Sequence, residues 1–550
     1  MNKKVILILL IGIIALATIL RLWKLGEVPI SPDWDEVALG YNAYSIMQTG
    51  RDEYGKLFPV ILRSFDDYKP AFYTYFTIPS IAIFDLTVFS VRFPSAVFGV
   101  MTVFAIYFLI KELFRKEEIA LLSSFLLAIS PWHIQFSRIA FESNVGLSFN
   151  VFSVLFFIKG LKKPWFLVFS AFFMAINLYI YQSEKVFAPI LLLAMIIIFR
   201  KELFSIPKKY IFLAAIAGLL ISIPIVSYTI TDKNALGRAK GVSVFSETTN
   251  LLEENAKKLI EDQKNNDTLG LLFDNRRIAF AKSVVSGYVS HFDLNWLFIT
   301  GDIARHHAPN MGLLYLFELP FLLIGIYCLI FGNFDKKTKF LVLAWFLIAP
   351  IPASVTSGVP HAVRTLNFLP TFQIFTAIGI LFALQKISNI KYKISNIQIK
   401  YFIYSFCFLF FMFNFLYYLN QYFVQQNYFN AKDWQYGYAQ IIPEIHKIES
   451  NYSKIVVSNQ EPMDQSYMFF LFYLKYSPLL YQAENKDVSG GFAENHVFGQ
   501  YEFRPINWEK EEKNGKILYV GRLQDFPKST KKIKEALYPN GELAIQLTVY

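Results

Sequence analysis

Residues able to do chemistry gather at four places in this chain, each at the edge of an apolar run. The first is SPDWDEVALGYNAY, which supplies Asp33, Asp35 and Glu36. Arg51, Asp52 and Glu53 follow, then Asp66, Asp67, Tyr68, Lys69 and Pro70. Acids beside a membrane surface cost little when solvated, so an ordinary wet loop would account for them. Trp34 between two aspartates, with Val37, Ala38 and Leu39 behind, describes a less polar setting in which a carboxylate can be tuned as a base. The second place is SPWHIQFSRIAFESN, with His133, Arg138 and Glu142. Arg138 and Glu142 are one helical turn apart, a spacing that also suits a plain structural ion pair.

The third is GDIARHHAPN, with Asp302, Arg305, His306 and His307, and the fourth is GVPHAVRTLNFLP, with His361 and Arg364. Adjacent histidines do not share a helical face, so His306 and His307 are not expected to form a two-His metal site. An arginine at a membrane edge either snorkels or, with other cations around one cavity, suits a phosphate head group. No Walker loop, GxSxG elbow or CxxC pair stands out.

Membrane spans must position these residues. Hydrophobic residues make up 54% of the 550 positions against 17% charged, which excludes a cytosolic enzyme, a disordered scaffold and a disulfide-built secreted module. Cys328 and Cys407 both sit in apolar runs and carry no redox or metal signal. Eleven runs are long and apolar enough to read as spans, at about 5–23, 90–110, 118–135, 146–160, 164–181, 187–200, 210–229, 311–331, 340–356, 365–384 and 401–421. The first also has features of a secretory signal, with Ala15-Leu16-Ala17 near a cleavage position.

With the N-terminus inside, five alternate loops collect the lysines and arginines, as in Lys111, Arg115 and Lys116 or Lys336, Lys337 and Lys339. That is the positive-inside pattern. The net charge of +11 is therefore a topology signal, and no nucleic-acid partner is expected. The echo of KISNI at 386–390 and 393–397 reads as a local duplication.

Three long segments then face outward: 24–89, 230–310 and the tail from 422 to 550. The apolar stretch 71–86 is broken by Pro79 and reads as interfacial. In the tail, KIVVSN and KILYVGRL read as buried strands and MFFLFYLKY as a helix between them. The expected organisation is a transmembrane domain over 1–421 and a small extracytoplasmic α/β domain over 422–550.

The order of these pieces resembles the membrane glycosyltransferases of family 39, which include protein O-mannosyltransferases and the aminoarabinose transferase of lipid A. The likeness rests on Asp35-Glu36, YNAYSIMQTGRDEYG, YKPAFYTY, SVRFPSAVFGV, PWHIQFSRIAFESN, ELPFLLIGIY and PHAVRTLNFLP, over residues 1 to about 420. It implies the C-type glycosyltransferase fold, an all-α polytopic membrane bundle of about eleven transmembrane helices with an active site at its outer face.

It also implies transfer from a polyprenyl-phosphate-linked monosaccharide to an acceptor protein, lipid or glycan in a cell (plasma) membrane. Carried over, Asp35 is similar to the catalytic acid of the first loop, with Glu36 beside it. Lys69, Arg138, Glu142, His361 and Arg364 are the matching substrate and carrier-phosphate candidates. Tyr68 stands where the aminoarabinose transferase has an acid before Lys-Pro, and Glu142 stands where many relatives have Asp. No metal ligand is assigned and no cofactor is required by the pattern, with a divalent cation left open. An inverting transferase is the leading expectation. An O-antigen-type polymerase or ligase, or a transporter of lipid-linked sugars, is the alternative, the latter without the paired inverted halves such carriers show.

Overall fold

The computed structural model describes residues 2–65, 67–232, 241, 243–245, 249–389, 397–485 and 494–550. Asp66, most of the second KISNI copy and parts of the 230–310 segment lie outside the described residues.

Each of the eleven apolar runs contains a helix. Among the described residues, seven helices are long and apolar enough to cross a membrane: Lys3–Leu22, Val88–Phe114, Glu142–Gly160, Lys208–Thr231, Lys336–Ser354, Leu366–Ser388 and Tyr401–Phe429. Glu117–Ile129 and Pro131–Ser137 make an eighth crossing when taken together, bent by 59°. The bend falls at Ser130, which precedes Pro131 and leaves the helical region with ψ 124, as a residue before proline tends to. The other three runs form shorter helices, Phe166–Asn177, Glu184–Ile198 and Glu318–Phe331. Apolar residues continue through the turns at 178–181 and 311–317, so the sequence shows longer runs than the helices they contain. The stretch broken by Pro79 is helical from Phe72 to Phe84.

The chain divides into two compact units. The first comprises Met1–Ala17, Gly99–Ile134 and Ser143–Leu416, and is a helix bundle. Its tightest packing joins Glu318–Phe331 to Leu369–Asn389 through glycines. A Cβ on Gly325 would meet the Phe375 carbonyl oxygen at 1.7 Å, and one on Gly379 the Phe321 carbonyl oxygen at 1.9 Å. Close backbone approach through small residues is how helices associate where apolar burial offers no drive.

The second unit comprises Thr18–Phe98, Gln135–Glu142 and Tyr417–Tyr550. A hairpin in its first loop pairs β1 (Ile61–Ser64) with β2 (Asp67–Pro70) antiparallel, Leu62 opposite Lys69. The tail builds a six-stranded sheet from β3 (Lys454–Val457), β4 (His496–Phe498), β5 (Tyr501–Phe503), β6 (Ile517–Gly521), β7 (Lys532–Leu537) and β8 (Leu543–Thr548). Its order is β4-β5-β3-β6-β8-β7, with β3 parallel to β5 and to β6. Every residue of β6 is buried, as continuous apolar runs in central strands require.

Helix Ser466–Tyr473 follows β3, so both strands and the helix expected in the tail are present. First loop and tail are interlocked within this unit. Tyr41 donates to the Tyr476 carbonyl at 3.1 Å. Gln482 Nε2 donates to Ser45 Oγ at 3.0 Å and to the Asp52 carbonyl at 2.9 Å.

Candidate functional site

Three acids at the start of helix Trp34–Thr49 have three separate fates. Asp33 is the N-cap: its Oδ1 accepts the Glu36 N–H at 2.9 Å, and the Glu36 carboxylate accepts the Asp33 N–H at 3.3 Å. This reciprocal cap satisfies two otherwise orphaned donors. Glu36 is buried and takes two bonds from Arg92, from Nε to Oε1 at 2.9 Å and from Nη2 to Oε2 at 2.8 Å. Arg92 also donates to the Leu25, Pro29 and Ser31 carbonyls, and the Ala140 N–H donates to Glu36 at 3.0 Å. Glu36 is thus committed to structure. Asp35 alone keeps a partly exposed carboxylate, with Lys69 Nζ 2.5 Å from its Oδ1. The hairpin delivers Lys69 to that point from β2.

Arg138 is fully buried. Its two terminal nitrogens donate to the Leu20, Arg21, Lys24 and Val28 carbonyls at 3.0–3.2 Å, and its Nε to the Tyr422 hydroxyl at 3.2 Å. These bonds tie the guanidinium to the segment that leaves the first span. Glu142 is buried in the first turn of helix Glu142–Gly160.

In the other unit, the loops carrying Asp302 and His361 meet. The Asp302 carboxylate accepts from the Ala362 N–H at 2.6 Å and pairs with His306 Nδ1 at 2.9 Å. Burial works against this carboxylate, but the His306 contact outweighs it and holds Asp302 at about 2. His291 Nδ1 lies 2.7 Å from the Gly287 carbonyl, which makes it the donor nitrogen, and Nε2 accepts the His361 N–H at 3.1 Å. Burial pushes the His291 imidazole down to about 4. Arg364 donates to Thr356 Oγ1 and to the Ser357 carbonyl. His361 and Arg364 therefore belong to one loop cluster, and Asp35 and Lys69 to another.

The family model for dolichyl-phosphate-mannose-protein mannosyltransferase matches residues 68–228. No curated protein matches significantly. Among solved structures, the chain is similar to apo ArnT from Cupriavidus metallidurans, with 11% identity over 98% of this chain and 97% of that one, at a TM-score of 0.55. The same protein bound to undecaprenyl phosphate matches with 10% identity over 100% and 99%, at 0.53. The archaeal oligosaccharyltransferase AglB from Archaeoglobus fulgidus, in complex with an inhibitory peptide and a dolichol-phosphate, matches with 12% identity over 86% of this chain, at 0.50. The chain spans 63% of the length of that archaeal enzyme.

The chain has the C-type glycosyltransferase fold of these structures. The segment matched by the family model contains Lys69, Arg92, Arg138 and Glu142. It also contains a residue that sequence reasoning passed over. Glu184 is buried and accepts from Asn150 at 2.7 Å, Asn177 at 3.2 Å and Asn367 at 2.8 Å. Gly146 leaves room for it, since a Cβ there would lie 2.9 Å from Glu184 Cγ. Buried carboxylates are kept only when hydrogen-bonded, so four helical segments converge on this one side chain. A glutamate opening an apolar helix, with asparagines inside two neighbouring runs, was the available signal. Arg92 was legible in the same way, as a cation inside an apolar run.

Proposed function

We propose that this protein is an inverting membrane glycosyltransferase that moves a monosaccharide from a polyprenyl-phosphate carrier to an extracytoplasmic acceptor, protein, lipid or glycan. The observation that carries the proposal is the separation of Asp35 from its neighbours: Asp33 caps, Glu36 is locked by Arg92, and Asp35 stays partly exposed beside Lys69. In the proposed step Asp35 accepts the proton of the acceptor hydroxyl. The acceptor oxygen forms a bond to the anomeric carbon as the bond from that carbon to the carrier phosphate breaks. The electron pair leaves with the phosphate, and attack from the opposite side inverts the centre. Lys69, in contact with Asp35, offsets negative charge as the phosphate departs. Arg364, in a loop cluster of its own, is proposed on its charge alone as a contact for polyprenyl phosphate.

The reading also places the protein in the plasma membrane with its α/β tail outside. The fold, the matched family segment and the positive-inside loops support it. The test is incubation of the purified protein with a panel of radiolabelled polyprenyl-phosphate sugars and an extract of acceptors, with polyprenyl phosphate release as the readout. Release with one sugar supports the proposal. No release with any sugar, alongside turnover of a pyrophosphate-linked glycan, would replace it with the polymerase or ligase reading.

A further inference from the structure

Asp302, His306 and His361 each offer a ligand atom, and these atoms all lie within 4.8 Å of one another. Two come from the loop before helix Glu318–Phe331, the third from the loop before helix Leu369–Asn389. The sequence reading dismissed His306 with His307 because neighbours do not share a face, but the useful partner is His361, brought in from the other loop. His306 and His361 have ring centroids 5.2 Å apart. His361 Nδ1 is buried with no hydrogen-bond partner among the described residues, a cost that a protein removes by pairing the atom or by placing an ion on it.

We propose that Asp302, His306 and His361 bind a divalent cation of the zinc class. Two imidazoles and one carboxylate form a donor set that suits zinc and leaves a fourth tetrahedral position for water or an anionic oxygen. Zinc bonds of about 2.0–2.2 Å need donors about 3.4 Å apart, so a modest rotation of the side chains closes the set. The surroundings already orient one of the three ligands and hold the backbone of another. Asp302 is oriented by the Ile303 and Ala362 N–H groups, and the His361 backbone is held by His291 Nε2. His307 is not part of the converging group, which consists of Asp302, His306 and His361. The cation would join the two loops across one cluster, independently of which sugar or acceptor the protein uses.

The test uses the full-length, tag-free protein in detergent, stripped with EDTA, reloaded with zinc chloride, desalted and assayed for zinc by mass spectrometry. Wild type is expected to retain about one zinc per chain. His361→Gln and Asp302→Asn should retain at least about fivefold less, while His307→Gln should match wild type. Because Asp302 and His361 also hold loop contacts, wild type is additionally loaded with cobalt. The visible absorption of a tetrahedral ion, together with a zinc-induced rise in thermal midpoint absent from His361→Gln, supports the site without relying on a single variant. Wild type that retains no zinc, or variants that fold and retain as much as wild type, overturns it.

Discussion

Lys69 Nζ sits 2.5 Å from Asp35 Oδ1, the lysine side chain 9% exposed and the aspartate 39%. The cation is nearly covered and the carboxylate is open, so the pair presents an acid to its surroundings with its counter-charge behind it. Replacing Lys69 with Met removes that charge while keeping the length of the chain. The expected result is a loss of about 10–100-fold in kcat/KM with little change in thermal midpoint, since partly exposed pairs contribute little stability. Unchanged kcat/KM would make Lys69 a bystander.

Glu36 and Arg92 should behave in the opposite way to Asp35, although Glu36 is its sequence neighbour. Both side chains of this pair are buried, and removing one leaves the other charge uncompensated. Arg92→Met is expected to cost about 3–5 kcal/mol, read as a large drop in thermal midpoint and in yield of folded protein. A folded, stable Arg92→Met protein would show that the pair does not hold the first loop.

These fates explain what the sequence could and could not show. The spacing Asp33-x-x-Glu36 before an apolar run is a capping-box signature, a signal that the sequence analysis left unused when it set Glu36 beside Asp35 as a catalytic acid. The pairing of Glu36 with Arg92 and of Asp302 with His361 was not legible, because each joins segments far apart in the chain and no local pattern links them. Strands β3 and β6 were readable from unbroken apolar runs. The contact of the tail with the first loop was not, since that depends on single side chains such as Tyr41 and Gln482 reaching across. The bonds from Arg138 to four backbone carbonyls at the end of the first span were not legible for a related reason, since carbonyls leave no mark in composition.

Arg138 and Arg364 can be separated by stability and binding. Lysine at 138 has too few donors in the right plane for the four carbonyls, and each buried carbonyl left unpaired is costly. Arg138→Lys is expected to lose about 2–3 kcal/mol with carrier affinity unchanged in what folds. Arg364→Ala should keep its thermal midpoint and weaken competition by polyprenyl phosphate about tenfold. The reverse pattern would exchange the two roles.

Glu53 gives a pH dependence with a defined sign. Burial pushes its carboxyl from 4.5 up to about 8, while Asn42 Nδ2 donates to it at 3.1 Å. Between those values the folded protein holds a proton that the unfolded chain has released, so this group's contribution to stability is full below about 4.5 and is lost as pH rises through about 8. Glu53→Gln should flatten the fall in thermal midpoint between about pH 5 and pH 8. An identical slope in the variant would show that Glu53 is not the group responsible.

The most direct measurement compares wild type with Asp35→Asn, both verified as folded by thermal midpoint, for release of polyprenyl phosphate from the sugar-loaded carrier that wild type uses. Asparagine keeps the shape of the side chain and removes its capacity to take the acceptor proton. Release by Asp35→Asn is expected to fall by about 10²–10⁴-fold with the carrier still bound. Near wild-type release by folded Asp35→Asn would contradict the assignment of Asp35 as the base.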